Sequence, residues 1–154
     1  MAIFQAMTSS FKSDILSAGH NFGTVNIIRA ANTPDIFKLA LYSAITAALD
    51  ATTTAYTAVG EITGAGYVAG GQVLTITQVP ATSGTPATTA FLNFGNTSWA
   101  GASFSTDGAL IYNSSNANKS VAVLNFGGTK SVAGGIFTIQ FPTPGLGNSI
   151  IQIA

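Results

Sequence analysis

The spacing of apolar positions changes along this chain. Near the start, Phe11, Ile15 and Leu16 recur at helical intervals. Ser9 or Ser10 is placed to cap that run and Gly19 to stop it, which predicts a short helix over Phe11–Ala18. Pro34, with no N–H to give a ladder, precedes the apolar run Ile36–Tyr42, which predicts a buried strand. Ala44–Leu49 then predicts a short helical turn. From Glu61 onward the period becomes two. Val73, Thr75, Thr77 and Val79 alternate with Leu74, Ile76 and Gln78, and Ala109–Asn113, Val121–Phe126, Ile136–Phe141 and Ser149–Ile153 predict further strands. Gly, Pro, Asn and Ser clusters separate these runs, and Pro80–Pro86 and Asn113–Asn118 read as surface loops. The pattern predicts an all-β chain: one domain over residues 1–154, an antiparallel β-sandwich or barrel of about eight strands. One or two short helices are expected near its N-terminus.

An internal echo runs through the β-rich part. Leu92-Asn-Phe-Gly-Asn-Thr97 recurs as Leu124-Asn-Phe-Gly-Gly-Thr129, and each copy leads to an Ala-Gly pair and then a Phe: Ala100-Gly101 and Phe104, Ala133-Gly134 and Phe137. Two copies are too few for a solenoid, which needs about three. The echo reads as one local device used twice, a strand ending at glycine, a turn and a new strand. Duplication within the sandwich is the alternative.

Charge narrows the function. Five Lys/Arg and five Asp/Glu make up 6% of the 154 residues and cancel, where a typical soluble domain is about 25% charged. Sparse, balanced charge favours association, so an assembly subunit is expected. The cations Lys12, Arg29, Lys38, Lys119 and Lys130 are scattered, and nucleic-acid binding, which needs a basic cluster, is not expected. No apolar run reaches the roughly 20 residues of a membrane span. Neither does the N-terminus have the pattern of a secretory signal.

Candidate chemistry is thin. His20 is the sole histidine and lies in Ser17-Ala-Gly-His-Asn-Phe22, without the G-x-S-x-G surroundings of a nucleophile. Asp14, Asp35, Asp50, Glu61 and Asp107 all lie more than ten residues apart, so sequence offers no carboxylate pair and no calcium-type loop. Without cysteine there is no disulfide and no thiolate metal site. Gly64–Gly71 has glycines near a nucleotide-loop spacing but lacks the following helix and the phosphate-binding lysine, so it reads as a connection around a packed Tyr67. No catalytic residue, cofactor or metal is expected, and the chain is not expected to be an enzyme.

Seven stretches in order carry a family likeness: Ser10–Leu16, Phe37–Tyr42, Gly60–Gly71, Trp99–Phe104, Gly108–Asn113, Val121–Gly128 and Gly135–Phe141. Across roughly residues 10–153 they resemble small virion proteins of tailed bacteriophages, described as head decoration (cement) proteins or as minor head or tail proteins. That resemblance implies a structural protein made in the host cytoplasm and built into the virion, binding the major capsid protein on the capsid surface and forming homo-oligomers, with a trimer favoured. It implies no catalytic residues. A tail, head-fibre or adaptor component is the other role it allows. In such an assembly, residues 1–10 are expected to act as an arm. Ile3, Phe4, Met7 and Phe11 would then pack on a neighbouring subunit or the capsid. The alternative is that this segment pairs with its own sheet or covers its own core.

Overall fold

A computed structural model of the chain describes residues 2–8, 10–11, 15, 20, 22, 35–84, 87–143 and 148–153, with the backbone alone over 78–84 and 87–90. Eight strands form two antiparallel sheets. The larger has the order β1-β7-β6-β2-β3, from β1 (Ala6–Met7), β2 (Phe37–Tyr42), β3 (Gln72–Val73), β6 (Thr97–Asn113) and β7 (Lys119–Ile139). The smaller has the order β4-β5-β8, from β4 (Ile76–Gly84), β5 (Ala87–Phe94) and β8 (Ile151–Ile153). The fold is all-β, as the alternation predicts.

The central strands are buried on both faces, which is why β2 reads as a nearly unbroken apolar run rather than an alternating one. One face of β2 places Phe37, Leu39 and Leu41 in a core shared with Leu92 and Phe94 of β5 and Ile151 of β8. The other places Ala40 and Tyr42 in a second core with Ile3, Ala47, Leu49, Leu110 and Val123. Within residues 43–71, Ala44, Ala47, Leu49 and Tyr56 pack on that second core, while Ile62 and Tyr67 pack on the first. The segment begins with one helical turn, closed by Ala47 N–H on Ser43 C=O at 2.8 Å, where Ala44–Leu49 predicts one.

Three strand expectations need correction, the first being the run Val73–Val79, which is divided between β3 and β4 in different sheets. Val121–Phe126 and Ile136–Phe141 are not separate strands: both fall on β7, which pairs with β6 along its length and ends at Ile139. Bulges carry the ladder through the glycines that look like turns. Ala100-Gly101 on β6 opposes the single Ile136, and Ala133-Gly134 on β7 opposes the single Ser103. Gly101 and Gly134 have φ of 61° and 65°, values that disfavour a Cβ. Gly134 N–H also donates to Ser103 Oγ at 2.9 Å. A wider bulge, residues 126–129, opposes Asp107 alone. The echo therefore marks a strand end and turn only in its first copy; its second copy forms the wide bulge. Its two Ala-Gly pairs are neighbouring bulges, and the Phe that follows each, Phe104 and Phe137, meet edge to face at 5.3 Å.

The Pro80–Pro86 loop is also corrected. β4 continues to Gly84 and β5 resumes at Ala87. Pro80 is tolerated because β4 is an edge strand with a register shift between Gln78 and Ala81. The Asn113–Asn118 loop is a turn as predicted. The helix expected over Phe11–Ala18 lies largely outside the described residues. At its head Thr8 Oγ1 accepts from Phe11 N–H at 3.3 Å, the bond of a cap; Ser9 lies outside the described residues.

Candidate interaction surface

The four residues expected to form an arm are held differently. Phe11 is fully buried in the first core and Ile3 is buried in the second. Met7 is half-buried in β1, where Ala6 and Met7 pair with Val123 and Ala122 of β7. Phe4 N–H donates to Leu49 C=O at 2.9 Å, and Asn125 Nδ2 donates to Ile3 C=O at 2.7 Å. Pairing with its own sheet and covering its own core thus account for Ile3, Met7 and Phe11. Phe4 alone of the four is exposed, at 63%.

Where β1 stops, an apolar groove begins. It has a volume of about 510 Å³ and runs beside β7, walled mainly by Leu124, Phe126, Phe137, Ile139, Phe141 and Ile150. All six are only half-buried, although they belong to the side of the sheet that packs on the first core. Beyond Val123, β7 has no strand on its outer side among the described residues. Ile136 on that stretch is 70% exposed. Among the described residues Lys130 is the one charged side chain lining the groove.

The polar groups are engaged elsewhere, in holding the fold. Glu61 accepts from Tyr56 O–H at 2.6 Å, Tyr67 O–H at 2.5 Å and Gly70 N–H at 2.7 Å. Tyr112 O–H donates to Gly70 C=O at 2.7 Å, and Tyr42 O–H to Thr57 C=O at 2.6 Å. Burial first, then the Glu61 hydrogen bond, pushes the Tyr56 phenol up to about 12. Burial likewise raises Tyr42, Tyr67 and Tyr112. Asp107 accepts from Thr129 O–H at 2.5 Å and Ala44 N–H at 2.8 Å, which hold its carboxyl below the ordinary range. It thereby ties the wide bulge to the turn after β2.

His20 lies tilted against Phe11, ring centroids 4.9 Å apart. Its Nδ1 lies 3.0 Å from Asn113 Nδ2, which also donates to Asp35 Oδ2 at 2.7 Å. Among the described residues no three His, Cys, Asp or Glu side chains converge as metal ligands. No helix there is long and apolar enough to cross a membrane.

Sequence reasoning missed the groove and the tyrosine cluster. The groove leaves a partial signal, in that Leu124, Phe126, Phe137 and Ile139 keep an apolar face along one strand. The tyrosines leave none beyond Glu61, Tyr67 and Gly70 sharing one glycine-rich segment. Compared with protein-family models, with curated proteins and with solved structures, the chain finds no match.

Proposed function

We propose that this protein is a structural subunit that clamps a larger protein shell, acting as a cement or decoration protein on the outside of a tailed-phage capsid. The observation that carries the reading is the half-covered apolar groove beside the open stretch of β7. A surface of that kind, on a chain with 6% charged residues, suits lasting contact with another protein. The resemblance of residues 10–153 to phage virion proteins names the shell. Its major capsid protein is the partner, and a trimer of this chain on the capsid belongs to the same proposal. A subunit that binds only the assembled shell stabilises it by RT ln(1 + [L]/Kd) per site. No chemistry is required of it.

Quantifying the protein in purified particles and in DNA-free heads tests the proposal. Cement predicts co-sedimentation with empty heads at a copy number commensurate with the capsid subunits. Copies in small multiples of three or six, found with tails, would instead make it a tail or fibre component. Absence from both fractions would remove the virion reading altogether.

A further inference from the structure

The open stretch of β7 carries three kinds of information about what it would bind. The first is backbone: β1 covers only Ala122 and Val123, so the ladder groups of later residues face outward among the described residues. Such an edge is a template for an added strand. The second is the groove, whose apolar walls suit alternate side chains of an extended segment. The third is charge. Among the described residues Lys130 is the groove's one charged side chain, and Asp107, on the strand paired with β7, has both oxygens engaged by Thr129 and Ala44.

We infer that this surface takes an extended strand of a different protein, apolar at alternate positions, with a carboxylate that meets Lys130. The inference rests on the assembly reading above and gives the shell partner a chemistry. A second copy of this chain fits less well. Residues 124–139 contain no Asp or Glu, so two copies joined edge to edge would bring a lysine each and no acid. The bulges at 126–129 and Ala133-Gly134 break the edge, leaving Gly135–Ile139 as its longest stretch without a bulged residue of its own. The added strand is therefore short.

Two acetylated, amidated heptapeptides of alternating Val and Thr serve as probes, one with Asp at its centre and one with Lys. Each is titrated to millimolar concentration into the isotope-labelled full chain while backbone amide shifts are followed. The Asp peptide should move the amides of residues 129–139. It should bind about threefold more tightly than the Lys peptide, the size of a solvent-exposed ion pair. Lys130→Gln should abolish the preference and Lys130→Glu should invert it, with amides distant from β7 unmoved. No shifts, shifts mapping elsewhere, or a preference indifferent to residue 130 would each overturn the inference. So would protection of Gly135–Ile139 that rises with protein concentration in the absence of peptide, since that would make a second copy the occupant. Peptide binding on β7 by a protein that fails to sediment with heads would sink the capsid reading and leave this inference standing. Head binding unchanged in Lys130→Glu, with no peptide response, would do the reverse.

Discussion

At the scale of single residues, two kinds of glycine behave differently under substitution. Gly71 has φ of 67°, and a Cβ there would lie 1.8 Å from Leu39 C=O, backbone that cannot yield while β2 keeps its place in the sheet. Gly134 has a similar φ, but a Cβ there would meet nothing within 4 Å. Gly134→Ala should therefore cost about 1–2 kcal/mol, the conformational penalty alone. Gly71→Ala should cost at least twice that or prevent folding, and urea unfolding of both variants checks the order. Asp107 makes a pH-dependent contribution. Its carboxyl is held below the ordinary range, first by Thr129 O–H and then by Ala44 N–H. The stability it adds is present above the ordinary carboxylate pKa and is lost as pH falls through the lowered one. Asp107→Ala should thus destabilise by about 1 kcal/mol near neutrality, and the gap from the parent should narrow at pH 3. A gap that stays constant with pH would assign the loss to packing instead.

At the scale of elements, residues 43–71 are fastened to the sheet through phenols, and that fixes their alkaline limit. Tyr56 and Tyr67 donate to Glu61, while Tyr42 and Tyr112 donate to backbone carbonyls, so each must stay protonated. Their pKa values are raised in the fold, Tyr56 to about 12 from 10.0. The stability they add is therefore complete below pH 10 and is lost as pH rises through the raised values. Absorbance at 295 nm should show no phenolate step centred near pH 10 in the folded protein and one centred there in denaturant. Glu61→Gln should move the Tyr56 step downward. None of this was legible in the sequence, because Tyr42 of β2, Tyr56 and Tyr67 of the segment that follows and Tyr112 of β6 are gathered by tertiary folding. The strands were legible where one face meets water: distal β6 alternates from Thr97 to Phe104, with one bulge. They were misread where glycine or proline sits inside a strand. Gly127, Gly128 and Gly134 look like turns locally, and only the long β6 partner, out of reach of a local pattern, makes them bulges. The same limit hid the groove, which exists because β1 stops after two residues.

At the scale of the whole molecule, the N-terminal segment separates what folds the chain from what it offers to others. Ile3 is buried among the second core's residues, and β1 caps the start of the open edge, so these residues are part of the chain's own structure. Removing residues 2–8 should cost about 3 kcal/mol or more, the scale of emptying a buried aliphatic site, with the strand pairing lost besides. That truncation cannot by itself report on assembly, since a destabilised subunit would fail on heads for either reason. Phe4 can report, because it is largely exposed and its backbone, not its ring, makes the hydrogen bond to Leu49. Phe4→Ser should leave the urea midpoint within about 0.5 kcal/mol of the parent, as surface substitutions do. If the N-terminal segment touches the shell, the same variant should occupy empty heads less fully at matched concentration. Full occupancy by Phe4→Ser would confine the segment to folding and leave the groove beside β7 as the surface that binds.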